Sequence, residues 1–348
     1  MKRVIIRKVG GRDLKGLVAE GLDALGVPAR LGPGARVFLK PNIVTDVPEY
    51  IRNGANTDVR VIRAVLEYLR PLGVRVLLGE AETGTELKGR KLGYAFDTMG
   101  VNALVEEFGL EIVNLTFDEK RVVSAPGAKI LKKIPLAVSS LDADLIIDLP
   151  KIKTHKYAKL TCGLKNLFGM IPDPRRVRYH KHLHQVIAEM GAIYGPRTVV
   201  LVDGLRGMEG NGPLFGEPVD LDLLLFSDDL LAADVTAARL IGLDPATVEH
   251  LRLYREQYAR YDLSEIRVEG DVTAFPYRVF KPSGGNLFVK IEGELMRHPV
   301  LIPLFFSDTF KRYVAYPLRH VIKRMRGGSY SWYIDEKKDK GGDDRRSG

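Results

Sequence analysis

Short apolar runs alternate along the chain with segments whose apolar positions recur every three to four residues. The runs at 4–9, 36–39, 74–78, 111–115, 145–149, 198–202 and 221–226 predict strands, since each is too short for a helix and most end in polar or turn-forming residues. Helical spacing predicts amphipathic helices over 13–25, 58–69, 101–108, 183–193 and 229–241, the last with an acidic start and Gly242 as its stop. Strands alternating with helices imply an α/β fold with a mostly parallel sheet and flanking helices. No internal repeat is evident. This core is expected over residues 1–275. Beyond it, 276–334 forms a basic, aromatic-rich extension of helical or irregular character, and 335–348 carries the composition of a disordered tail.

Four strand ends are followed at once by polar or glycine residues: Lys40-Pro41-Asn42, Gly79-Glu80-Ala81-Glu82, Pro150-Lys151-Ile152-Lys153 and Asp203-Gly204. In a parallel sheet these tips share one edge, where ligands bind outside the strands' carboxyl ends. Lys40, Asn42, Glu80, Lys151, Lys153 and Asp203 are therefore expected at one cleft, a mix suited to orienting a polar ligand. The segment 148–173 adds five lysines, one histidine and the only cysteine directly behind an apolar strand. A site for an anionic ligand follows, with a solvated basic loop as the bland alternative. The glycines of 207–216, Gly210 and Gly212 among them, have amides able to approach a phosphate or carboxylate closely, or else make a rigid turn. They form neither a Walker loop nor a dinucleotide fingerprint.

His180, His182 and His184 alternate, and with His155 they make four of the chain's seven histidines within thirty residues. Chelation by His180 and His184 is geometrically allowed on a helix, so a divalent metal stays open beside an anion-facing or solvated loop. The single Cys162 excludes an internal disulfide framework and weighs against an iron–sulfur cluster. It reads as a packed small residue that flanking cations could activate.

A formal charge of +9 favours anionic partners. Nucleic acid is disfavoured, since no zinc-finger, basic-zipper or RNA-recognition signature is present. No stretch reaches the roughly 18 apolar residues of a membrane span, and a cytoplasmic location is the expectation. Within 295–333 no acid lies between Lys311 and Arg326, so this segment either lies on an anionic membrane surface or packs on the core or a second subunit. Oligomeric state is not legible.

Lys40-Pro-Asn42, Leu149-Pro-Lys-Ile-Lys-Thr-His155, Cys162-Gly-Leu-Lys-Asn-Leu-Phe-Gly169, Val202-Asp-Gly204, Gly210-Asn-Gly-Pro213 and Ala233-Asp234 resemble, in order, the motifs of the domain-of-unknown-function family 362. The resemblance spans about residues 36–245 and implies no agreed reaction. Many members of that family carry a ferredoxin-type cluster module, from which this chain departs by having one cysteine. Over about thirty residues the order His155, Lys165, then His180 or His184 is similar to the nickel-pincer lactate racemase family. That similarity implies Lys165 as covalent anchor or electrophilic cation, His155 as acid–base group and a later histidine as metal ligand. Two functions are therefore expected as alternatives. One is an enzyme acting on a carboxylated or phosphorylated small molecule, with His155 and Lys165 catalytic and Lys151, Lys153 and Asn166 among the binding residues. The other is a non-catalytic anion or cofactor carrier associated with a membrane surface.

Overall fold

The computed structural model describes residues 1–82 and 90–284, with the side chains of residues 90 and 91 left aside. β1 (Lys2–Lys8) leads through α1 (Leu14–Ala24) to β2 (Arg36–Pro41). Next, α2 (Pro48–Arg52) and α3 (Val59–Leu69) lead to β3 (Arg75–Glu80), and α4 (Arg90–Met99) and α5 (Val101–Phe108) to β4 (Glu111–Asn114). An antiparallel pair, β5 (Lys120–Val123) and β6 (Ile134–Ala137), and the single turn α6 (Val138–Leu141) precede β7 (Leu145–Leu149). Then come β8 (Lys151–His155), β9 (Lys159–Thr161), α7 (Gly163–Asn166) and α8 (Leu183–Tyr194). The chain ends its described part with β10 (Thr198–Asn211), β11 (Phe215–Ser227), α9 (Leu230–Leu240), α10 (Glu249–Tyr254) and β12 (Ile266–Gly270).

The main sheet runs β12-β1-β11-β10-β7-β2-β3-β4, and β8 joins it through β10 while pairing with β9. The pairs β10–β7, β7–β2, β2–β3, β3–β4 and β1–β12 are parallel, and β11 runs antiparallel to both its neighbours. The α/β reading with a mostly parallel sheet therefore holds. Both faces of the sheet are covered. Along β7, Leu145, Ile147 and Leu149 pack into the cluster that holds α1, α3 and α5, whereas Ile146 joins the opposite cluster with α8 and α9. A strand buried on both sides needs apolar residues at nearly every position, which is why 145–149 reads as an unbroken run.

α1, α3 and α9 begin at capping aspartates. Asp13 accepts the amides of Lys15 and Gly16, Asp58 that of Arg60, and Asp229 that of Ala232. Two segments differ from expectation. The lysine-rich stretch after Pro150 is a buried strand, and the glycines of 207–216 lie in the extended β10–β11 hairpin. Past residue 275 the chain still binds the core: Tyr277 and Arg278 donate their amides to the Leu240 carbonyl, and Lys281 donates its amide to Glu209. The expected extension and tail fall outside the described residues from 285 onward, and with them the basic segment 295–333. Among the described residues no helix is long and apolar enough to cross a membrane.

Candidate functional site

From β2 the chain winds outward through β3 to β4, returns to β7 beside β2, and then winds the other way to β10. The crevice between the carboxyl ends of β2 and β7 is thus the point where the winding reverses, the usual ligand position in such sheets. The four strand tips do meet there. Lys40 Nζ lies 2.6 Å from Glu80 Oε2 and Lys151 Nζ 2.9 Å from Asp203 Oδ2, all four side chains essentially buried. These cations are matched internally, so they build the floor of the site and leave ligand charge to others.

Asn166 on α7 is the hub. Its Nδ2 donates to the Lys40 carbonyl at 3.1 Å and to Asp148 Oδ1 at 2.7 Å, and its Oδ1 accepts from Asn42 Nδ2 at 3.1 Å. Asn42 Oδ1 in turn accepts from Lys153 Nζ at 2.6 Å, whose other partner is the Ala55 carbonyl at 2.7 Å. Lys153 thus has two neutral oxygens and no carboxylate among its bonds. Burial, then the charges of Lys151 and Lys165, drive its pKa well below the usual lysine value. Glycines at both ends of 163–169 let this segment lie on the charged floor. A Cβ on Gly163 would stand 3.0 Å from Asp234 Oδ1, and one on Gly169 2.6 Å from Glu80 Oε1.

Lys165 takes no part in this chain of hydrogen bonds, although it feels the charges of Glu80 and Lys40. Its ammonium lies 4.8 Å from the centre of the Phe168 ring, and among the described residues no carboxylate pairs with it. Burial, then the neighbouring Arg176, lowers its pKa to about 8. Arg176 is anchored by the Glu82 carbonyl at 2.9 Å. Two imidazoles adjoin. His155 Nδ1 accepts the amides of Tyr157 and Ala158, both at 3.1 Å, so its proton sits on Nε2. His180 Nδ1 lies 2.9 Å from the Val177 carbonyl, which accepts only, so here Nδ1 carries the proton and Nε2 the lone pair. Tyr157 links them, its ring centre 6.1 Å from that of His155 and 5.9 Å from that of His180. Burial, then Lys165, depresses both rings, His155 strongly and His180 to about 4. Both are neutral near pH 7, one presenting a donor and the other an acceptor.

The remaining expected residues lie elsewhere. Gly210 donates its amide to the Lys281 carbonyl and Gly212 to that of Gly210, so these amides serve the hairpin. His184 stacks on His250 at 5.7 Å, whereas His180 packs edge-on against the Tyr157 and Phe168 rings, so the two histidines have different ring partners. Among the described residues no group of three or more His, Cys, Asp or Glu side chains is spaced for a metal ion, and the donors do not fit one. Cys162 is buried, and burial together with Asp234 raises its thiol pKa. Asp148, Asp234 and Arg176 were not singled out as site residues. Asp148 lies inside the predicted strand 145–149, and it is fully buried, with burial pushing its carboxyl well up. Asp234 accepts the amides of Gly163 and Leu164, and burial lifts it to about 7. Its place in an Ala-Asp pair inside an apolar helix was the available signal.

The profile of the domain of unknown function DUF362 matches residues 37–239, more than half of the chain. The chain belongs to this family. A DUF362-like relative, a thylakoid-associated protein of Synechocystis sp., is 30% identical over 225 residues, covering 62% of this chain and 66% of the relative. The lactate racemase apoprotein of Thermoanaerobacterium thermosaccharolyticum matches with a TM-score of 0.41 at 13% identity, over 67% of this chain and 55% of that one. The chain thus spans 66% of the relative's length and 55% of that structure's.

Proposed function

We propose that this DUF362 protein is an enzyme performing acid–base chemistry on an anionic small molecule bound over Lys165. The supporting observation is the pair of neutral imidazoles whose Nε2 atoms hold opposite states beside a lysine to which no carboxylate is bonded among the described residues. Lys165, backed by Arg176, binds a carboxylate or phosphate. His155 donates a hydrogen bond from Nε2 to the substrate oxygen on which negative charge develops, and His180 takes the substrate proton at Nε2 and returns one from the same atom, so charge stabilisation and proton transfer are served by different groups and neither imidazole must first be charged. A lysine near pKa 8 stays mostly protonated at neutral pH while carrying little hydration, which favours a bound anion.

The test is deuterium uptake from D2O, followed by NMR, with a panel of carboxylates and phosphate monoesters on the wild type, Lys165→Ala and His155→Gln. Wild-type exchange on at least one compound, reduced roughly 100-fold or more in each variant at unchanged melting temperature, supports the reading. Exchange at the wild-type rate in both variants overturns it.

The carrier reading has its own support. A relative is named for thylakoid association, and the run from Lys311 to Arg326 is basic without an acid. It requires co-sedimentation of the full chain with anionic vesicles, lost on truncation after Pro282.

A further inference from the structure

A groove of about 720 Å³ opens beside Lys151, on the flank formed by the start of α3 and the outer half of β10. Four arginines reach into it: Arg12, Arg52, Arg60 and Arg206. We infer that it is a second ligand site, distinct from the Lys165 site, for a small molecule carrying a diphosphate.

The hydrogen-bond inventory of the guanidiniums supports this. Arg60 uses Nε and Nη2 on Asp58, leaving Nη1. Arg206 uses Nε on Asp220 and Nη1 on the Arg52 carbonyl, leaving Nη2. Arg12 uses Nε and Nη2 on the Lys8 carbonyl and Asp271, again leaving Nη1. Arg52 has no side-chain partner among the described residues, although its own carbonyl fixes Arg206. The carboxylates Asp58 and Asp220 orient these arginines as much as they neutralise them. Arg12, Arg60 and Arg206 are each held through two nitrogens and keep the third unused among the described residues, and Arg52 keeps all three, so each has an N–H left for a charge-assisted bond to a phosphate oxygen. Beneath them Lys151 contributes charge already matched by Asp203.

Shape narrows the ligand. The volume falls within the range of small-molecule pockets. Gly54 forms part of the wall, where a Cβ would stand 3.1 Å from Arg206 Cγ. Met99 and Leu205 add apolar surface beside the arginines, which a bare phosphate leaves uncovered. The site is separate from the proposed catalytic one, since Lys151 lines the groove whereas Lys165, His155 and His180 do not.

The experiment is isothermal titration with inorganic pyrophosphate and with ADP, at low salt, on the wild type, Arg52→Ala, Arg52→Ala/Arg206→Ala and Lys165→Ala. The expected result is saturable binding of at least one probe, one per chain, weakened roughly tenfold by Arg52→Ala and further in the double variant. Lys165→Ala binds like wild type. ADP binding tighter than pyrophosphate assigns the apolar wall to the rest of a nucleotide, and equal binding assigns the site to the diphosphate group alone. The inference is overturned if neither probe binds saturably, or if Lys165→Ala weakens binding as much as the arginine variants do. Circular dichroism of Arg52→Ala, an exposed side chain with no partner among the described residues, keeps misfolding apart from loss of the site.

Discussion

Replacing Asn166 by alanine removes a hub and leaves its partners in place. Three buried groups lose a bond: the Lys40 carbonyl, Asp148 Oδ1 and Asn42 Nδ2, at 3.1, 2.7 and 3.1 Å. A net loss of about 1 kcal/mol for each of the two neutral bonds and about 2 for the bond to the carboxyl, plus about 1 for the vacated volume, gives about 5 kcal/mol. That is comparable to the whole stability of many domains, about 5–15 kcal/mol. The deficit also depends on pH. Burial raises the Asp148 carboxyl and the bond from Asn166 opposes that rise, so losing the bond lifts the native pKa further. A carboxyl raised in the native state loses stability as pH climbs toward that native pKa, so the variant's deficit widens as pH is raised across the range in which the fold survives. Urea unfolding followed by circular dichroism at both ends of that range measures both effects. A deficit below about 1 kcal/mol, or one that narrows with pH, would refute the claim that Asn166 is the hub.

Three further outcomes are expected. His180 titrates near 4 in the folded chain against 6.5 when free, so it costs stability as pH falls through that window; relative to His180→Phe, the wild type should lose about 3 kcal/mol between pH 7 and 4 in urea titrations. His250 is fully buried and neither ring nitrogen has a partner among the described residues, so His250→Phe should be neutral or raise stability by about 1 kcal/mol by calorimetry, and a comparable loss would reveal a bond to those nitrogens. Gly169→Ala presses a methyl against Glu80 and Lys40, pinned by their own ion pair, and should cost about 1–3 kcal/mol in chemical denaturation.

The layered architecture was legible because both covered faces of the sheet demand apolar runs. The 145–149 run and the helix 58–69, observed as Leu145–Leu149 and Val59–Leu69, show this directly. Convergence of Lys40, Asn42, Glu80, Lys151 and Asp203 was legible too, since strand direction alone brings their tips together. What escaped was burial. Lys151 and Lys153 read as cations free to hold a ligand, with a solvated loop as the alternative, because the carboxylate and amide partnering them, Asp203 and Asn42, lie 52 and 111 positions away in the chain. The long hairpin escaped for a related reason: glycines that suggest a loop here give clearance between strands, as at Gly216, where a Cβ would stand 2.4 Å from the Glu209 carbonyl.

That hairpin has a mechanical meaning. Its outer half pairs with β8 at Met208 and Lys153, Thr154 donates its hydroxyl to the Gly210 carbonyl at 2.8 Å, and a Cβ on Gly212 would lie 2.0 Å from the Thr154 carbonyl. Thr154 sits between Lys153 and His155 on one short strand. The hairpin's far end is therefore a lever whose fulcrum is the site itself. A force applied there, by a partner or by the segment that follows Lys281, is delivered to the lysine and the histidine without passing through the rest of the sheet.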